Sequence, residues 1–443
     1  MKLPDIETLK KSFSGEVILP ENEVYKNVQN TPFFKGSPAV VFQPKSAADV
    51  AIAVKYVGDK SLTLSIRSGG HSGAGFGTND GGAVIDLSLM KKVTIIDKEK
   101  HIVRIAGGAV WGDIAQTLHK QGLGLSSGDT LSVGVGGLTL GAGVGWMVRK
   151  YGLAIDSLVA AEVVLADGRI VRASTAENPD LFWAIRGGGG NFGVVTHFEF
   201  AAHPVGKVYA GHIVYDLDNL PELITGWRDA MRNASEDLTT MLVTLPSFMG
   251  MPPSAIVMCC YAADDKPAAD KAIQPFRQLG KVLKDDFKQK EYFEVLEEAH
   301  PPEGLEALVK NGFVPDFSDE LAKAIVGMYS GDTGPVLQIR SLGGAMNRVA
   351  PDATAFAHRD NEVLIISPAF VPTGASAADR AKALQPWGKI APFTKGAYVN
   401  FFSDKSESIS VMYPLATQKR LAEVKKKYDP RNVFNQNYNI KPA

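Results

Sequence analysis

Three glycine clusters constrain this chain more than any other feature. They are Arg67-Ser68-Gly69-Gly70-His71-Ser72-Gly73, then Gly134-Val135-Gly136-Gly137 running on to Gly141-Ala142-Gly143-Val144-Gly145, then Gly187-Gly188-Gly189-Gly190-Asn191-Phe192-Gly193. Glycine tolerates positive φ and has no Cβ, so backbone N–H groups can turn inward and approach a ligand closely. Such a concave run of amides suits pyrophosphate, and the imidazole of His71 sets a nucleophile beside it. For the first cluster alone, a tight turn with a surface histidine is the plain alternative. The second cluster is poor helix and poor strand, so its backbone is expected to serve something other than side-chain packing. Together the three describe a long, backbone-lined groove for an extended, phosphate-bearing cofactor.

Several familiar chemistries fail on context. Gly188-Gly189-Gly190-Asn191-Phe192-Gly193 matches G-x-G-x-x-G, but a helix precedes it and a strand follows, the reverse of what a Rossmann turn needs. No G-x-x-x-x-G-K-[ST], H-E-x-x-H or G-x-S-x-G occurs, and the eight histidines have no ligand spacing, so no metal is expected. A formal net charge of −1 leaves no footprint for nucleic acid or an anionic membrane. The adjacent Cys259 and Cys260 lie in an apolar run and would point to opposite faces of a strand, as buried fillers. The N-terminus lacks an apolar core of signal-peptide length, and no run approaches a membrane span; a cytoplasmic location is expected.

At 443 residues the chain is expected to hold two domains. Val40-Val41-Phe42, a helix capped by Ser46 and the strand Leu62 to Ile66 make a βαβ-like unit that ends at the first glycine turn. Beyond it the texture reads as antiparallel, through Ala83 to Leu87, Val93 to Ile96 and Ile102 to Ile105. Val110 to Lys120 reads as a helix, and Ala166-Asp167-Gly168-Arg169 as a hairpin turn. Glycine punctuation thins near His203-Pro204-Val205-Gly206, where a boundary is placed. Strands and amphipathic helices then alternate, as in an antiparallel sheet with helices on one face. Leu415 to Tyr428 reads as a helix with Leu421, Val424 and Tyr428 on one side and lysines on the other.

Ser68-Gly69-Gly70-His71-Ser72, Val133-Gly134-Val135-Gly136-Gly137, Tyr151 to Asp156, and Leu181 to Gly189 with Asn191 to Thr196 together resemble the FAD-linked oxidases of the vanillyl-alcohol-oxidase class. The tail, Tyr428 to Phe434 and Asn437 to Ile440, resembles that of the berberine-bridge-enzyme-like branch. The resemblance implies an α+β fold: a two-lobed, PCMH-type FAD-binding domain (1–205, two α/β subdomains), an inserted antiparallel-sheet substrate domain (206–400), and a C-terminal segment (401–443) returning to the FAD domain. It implies FAD joined through His71. The second link that part of the family makes, through a Cys two residues after Gly128, is ruled out by Thr130. Cofactor contacts are expected at Arg67, Ser68, Gly69, Gly70, His71, Ser72, Gly128, Thr130, Val133, Gly134, Gly136, Gly137, Gly141, Asn191, Gly193, Val195, Tyr438 and Asn439.

The implied reaction moves a hydride from a small organic substrate to flavin N5 while a base takes a proton. Molecular oxygen is the expected acceptor; a dehydrogenase with another acceptor, or a flavin-binding protein without turnover, are the alternatives. Tyr398, in Tyr398-Val399-Asn400-Phe401, matches the base position of relatives, and Tyr438 is its rival; either could instead be a packed aromatic. A free phenol titrates near ~10, so either would need help to ionise.

Overall fold

The computed structural model describes residues 3–247, 250–298 and 304–443. Its first sheet joins β1 (Glu16–Ile18), β2 (Val40–Gln43), β3 (Leu64–Arg67) and β4 (Ala83–Asp86) in the order β1-β2-β4-β3. β4 runs parallel to both β2 and β3, which corrects the antiparallel reading of that stretch. Ala83, Val84 and Ile85 have no solvent exposure, and strands buried on both faces suit parallel sheets. Val50, Ala53, Val54 and Val57 of the helix Ala47–Asp59 share a core with Val40, Phe42, Ala83 and Ile85. That helix starts as expected: Ser46 Oγ accepts the Asp49 N–H, and the Asp49 carboxylate accepts the Ser46 N–H, both at 3.1 Å.

β5 (Val93–Asp97), β6 (Ile102–Ala106), a two-residue β7 (Leu123–Gly124), β8 (Leu158–Val164), β9 (Ile170–Ser174), β10 (Val194–Ala201) and β11 (His203–Pro204) follow. Five of them form an antiparallel sheet ordered β5-β6-β10-β8-β9, while β7 and β11 pair with each other. The third glycine cluster leads directly into β10, at the middle of this sheet.

The last sheet is antiparallel throughout: β12 (Lys207–Tyr215), β13 (Leu238–Leu245), β14 (Ser254–Tyr261), β15 (Val282–Asp285), β16 (Lys288–Glu291), β17 (Leu305–Val314), β18 (Leu337–Ser341) and β19 (Val363–Pro372). Their order is β15-β12-β14-β13-β18-β19-β17, with β16 also on β12. One face carries Leu242, Val257, Cys259, Ile339 and Ile365, packed with Leu223 and Trp227 of the helix Leu220–Arg232 and with Leu321 and Ile325 of the helix Asp319–Val326. The other face turns Met241, Val243 and Cys260 toward Val135, Leu140 and Phe192 of the glycine-rich segments. Cys259 and Cys260 thus fall on opposite faces, both buried and unbridged.

Two further expectations are corrected. Val135–Gly141 is helical despite Gly136, Gly137 and Gly141. Two glycines of the cluster answer to crowding: a Cβ on the N-cap Gly134 would lie 2.2 Å from Gly69 N, and one on Gly141 2.3 Å from Asn400 Oδ1, whereas one on Gly137 would meet nothing within 4 Å. In the helix Leu415–Tyr428, Lys425 does not face solvent with the other lysines but is 0% exposed. Its Nζ donates to Asp429 Oδ2 (2.7 Å), Asn191 O (2.7 Å) and Phe434 O (2.9 Å), while Asp429 accepts the N–H groups of Val433 and Phe434. This saturated buried pair fastens the tail to the third glycine cluster.

Candidate active site

The three glycine clusters, the inner face of the eight-stranded sheet and the tail enclose a cavity of about 680 Å³, within the 300–1,000 Å³ range of small-molecule and cofactor sites. Ser68 to Gly73, Gly128 to Thr130, Val133 to Gly137 (apart from Val135) and Gly189 to Val195 (apart from Phe192) line one side. Met241 and Val243 from β13, Ile256 and Met258 from β14, Gln338 and Arg340 from β18, and Ile366 and Pro368 from β19 line the other. Each strand contributes at spacing two, as one face of a pleated sheet must. Tyr398 to Phe402 and Gln436 to Tyr438 close the rim.

Most of the expected cofactor residues meet here, but their side chains do different work. Arg67 lines the cavity, yet its guanidinium is committed to Asp86 Oδ2 (2.9 Å), Asn30 O (2.8 Å) and Val28 O (2.5 Å), holding the turn from behind. Ser68 Oγ donates to Gly107 O (2.6 Å) and accepts the Gly136 N–H (3.2 Å), locking the first two clusters together. Asn191, 1% exposed, donates through Nδ2 to Gly188 O and Tyr438 O and accepts the Ile440 N–H at Oδ1. It clamps the tail, leaving its backbone to the cavity. Gly193 needs to be glycine because a Cβ would lie 2.5 Å from Val163 Cγ1 and 2.7 Å from Val164 O. Gly141 and Asn439 are outside the lining: the first makes room for Asn400, and the second has a buried Oδ1 without a hydrogen-bond partner. Trp146, which does line the cavity, has a buried, unpartnered Nε1.

His71 stands half-buried in its turn, edge-on to Phe33 (5.4 Å between ring centroids), with Nε2 2.9 Å from Ser132 Oγ. Tyr398 is 2% exposed; its Oη accepts the Gly143 N–H and Asn400 Nδ2, each at 2.9 Å, and burial pushes its phenol up. Tyr438 donates Oη–H to Asp404 O (3.0 Å), packs against Phe76 and Phe402, and is likewise pushed up by burial. Burial opposes ionisation of both phenols, while the two donors to the Tyr398 oxygen work the other way.

The cavity holds groups the sequence reading passed over. Asp129 Oδ2 pairs with Arg340 Nη2 at 2.5 Å, and the guanidinium lies over the Phe401 ring, 5.1 Å from its centroid. Arg340 Nε is buried without a partner. Gln338 and Arg340 are polar residues at alternate positions of an otherwise apolar strand, a signal visible in the sequence. Asp129 sits between two residues that were named, Gly128 and Thr130. Among the described residues, the carboxylates lining the cavity are Asp129, Glu297 and Glu298.

The cradle fits FAD: glycine turns in which a Cβ on Gly69, Gly134 or Gly193 would lie within 2.5 Å of another atom, orphaned polar atoms on Trp146 and Arg340, and an imidazole at the edge. Comparison with known proteins agrees. Residues 38–174 match the family model described as "FAD binding domain", and residues 397–441 the one described as "Berberine and berberine like". The chain is 31% identical to (R)-6-hydroxynicotine oxidase of Paenarthrobacter nicotinovorans over 97% of each chain. It is 30% identical to glucooligosaccharide oxidase of Sarocladium strictum over 91% of this chain and 87% of that one. The crystal structure of 6-hydroxy-D-nicotine oxidase from Arthrobacter nicotinovorans superposes with a TM-score of 0.87, at 31% identity, over 97% of this chain and 98% of the other. The fold, the FAD-sized cradle and whole-length likeness to oxidases of an amine and of an oligosaccharide converge: this chain is an FAD-dependent oxidoreductase and belongs to the berberine-bridge-enzyme-like family of FAD-linked oxidases.

Proposed function

We propose that this oxidase carries its FAD on His71 and oxidises a small, mainly apolar alcohol or amine, with Asp129 accepting the proton and molecular oxygen the electrons. We also read residues 1–205 with 401–443 as the cofactor-holding part and 206–400 as the substrate-facing part. The observation that carries the substrate reading is the sheet wall: Met241, Val243, Ile256, Met258, Ile366 and Pro368, against only Gln338 and Arg340 as polar members. An oligosaccharide would set its hydroxyls against methyl and thioether groups, at a cost of roughly 1–3 kcal/mol for each one left without a partner.

When bound, the flavin supplies the hydride-accepting atom and hands electrons on. The chain's own residues do the rest. Glycine amides and the Trp146 Nε1 orient the cofactor; the Met and Phe401 side chains exclude water from the substrate. Asp129, held by Arg340, takes the proton from the substrate O–H or N–H, since the cavity phenols are kept protonated by burial.

The test is anaerobic mixing of the purified protein with panels of apolar alcohols, apolar amines and oligosaccharides, followed by admission of air. The reading expects bleaching of the flavin by a member of the first two panels and return of colour in air. Bleaching by oligosaccharides alone would overturn the substrate class, and colour that stays lost in air would make the chain a dehydrogenase.

A further inference from the structure

Strand register puts the two polar residues of the sheet wall in different company. Gln338 stands beside Val243 of β13 and Ile366 of β19, and Val243 stands in turn beside Ile256 of β14, so the row across the cavity wall is otherwise aliphatic. Arg340, two residues along β18, stands beside Met241 and reaches to Asp129 and the Phe401 ring. Its Nη2 also donates to Gln338 Oε1 at 3.4 Å. A guanidinium can only donate, so this contact orients the amide: Oε1 faces Arg340, and the two protons on Nε2 face away from it. Gln338 lines the cavity, and none of the described residues accepts those protons there. A donor set against methyl groups costs free energy until a ligand pairs with it.

The partner for Nε2 has to be an acceptor, and the surroundings narrow its kind. A carboxylate would bring a charge that nothing balances, because both arginines lining the cavity are already paired, Arg67 with Asp86 and Arg340 with Asp129. A hydroxyl would accept from Nε2, but its own proton would be left against aliphatic groups or crowded toward the oxygen that Arg340 already uses. A carbonyl oxygen has no proton to place. We propose that Gln338 determines specificity in this oxidase by donating to a carbonyl oxygen of the substrate, about 7 Å (two residues of strand rise) from the O–H or N–H that Asp129 deprotonates. This rests on the reading of the substrate as a mainly apolar alcohol or amine with Asp129 as base. A six-membered ring carrying the two groups at opposite ends has such a span. The contact is remote from the reacting bond, so it strengthens binding alike in the ground state and the transition state.

The experiment uses the purified, flavin-loaded full chain, mixed anaerobically with two pairs of near-isosteric probes. They are 4-acetylbenzyl alcohol against 4-isopropylbenzyl alcohol, and 4-acetylbenzylamine against 4-isopropylbenzylamine. The readout is the concentration that half-saturates flavin reduction, because the acetyl group also alters the electron demand of the ring and hence the limiting rate. In at least one pair the acetyl probe should half-saturate at a concentration roughly 10- to 100-fold lower, the range for pairing a donor otherwise left unsatisfied. Gln338→Met keeps the length of the side chain and loses the donor. It should erase the difference by raising half-saturation for the acetyl probe, with the loss falling there rather than on the limiting rate. A merely structural Gln338 would instead weaken both members of a pair together. Equal half-saturation within both pairs, a preference that survives in Gln338→Met, or reduction by apolar alcohols or amines but by neither acetyl probe would overturn the carbonyl contact and leave the apolar-substrate reading standing. Reduction by oligosaccharides alone, or by none of these compounds, would overturn both.

Discussion

A base must be free of its proton before it can accept one, and that requirement separates the polar residues of this cavity. Tyr398 stands at the position the family motif suggests, but burial pushes its phenol up and outweighs the two N–H groups its oxygen accepts, which pull the other way. Asp129 faces the same cavity as a carboxylate paired with Arg340. Asp129→Asn should therefore slow flavin reduction by about 10²–10⁴-fold, the usual contribution of a positioned base, in anaerobic single-turnover traces. Tyr398→Phe should stay within about tenfold of wild type and instead lower stability by about 1–3 kcal/mol, because the Gly143 and Asn400 donors lose their acceptor. A large rate loss in Tyr398→Phe with Asp129→Asn near wild type would restore the phenol as base. His71, the glycines around it and Asn191 were legible as cavity-lining residues from the glycine turns they stand in. Asp129 and Arg340 were not, since their pairing joins a loop to a strand more than two hundred positions away.

At the scale of elements, crowding explains both what the sequence revealed and what it hid. The capped helix at Ser46, the β8–β9 hairpin and the strand into β10 follow from local chemistry, and local patterns found them. The parallel placement of β4 depends on β2 and β3 covering both its edges, which the short apolar run Ala83-Val84-Ile85 does not announce. Lys425 read as one lysine among several on a solvated face; only the fold brings Asn191 O, Phe434 O and Asp429 around its ammonium. Removing one member of a buried, hydrogen-bonded pair costs about 3–5 kcal/mol. Lys425→Met should lower chemical-denaturation stability by that order and loosen the tail from the third glycine cluster. A change under about 1 kcal/mol would mean the pair is dispensable. Gly193→Val meets β8 at Val163 and Val164 O, so flavin occupancy should drop with the local distortion; full occupancy would contradict the close fit.

Across the whole molecule, stability and function draw on different parts of the charge distribution. On the outer side of the five-stranded sheet, Glu162 is held down to about 2 from its usual 4.5, first by its hydrogen bond to His197, then by Thr196 and the charge of Arg104, against the opposing effect of burial. A carboxyl lowered on folding stabilises the native state above its unfolded pKa, and that contribution is lost as pH falls from about 4.5 toward 2. Melting temperature should fall through that window, and Glu162→Gln should flatten this part of the profile; an unchanged slope would show that the pair contributes nothing. In the proposed reading the flavin chemistry depends instead on the cavity between the glycine turns and the eight-stranded sheet, with His71 at its edge. The most direct test of that account is the flavin that stays with the protein after acid precipitation, compared in wild type and His71→Ala. The account predicts a yellow wild-type pellet and a colourless mutant pellet; acid-stable flavin in His71→Ala, or none in the wild type, would contradict it.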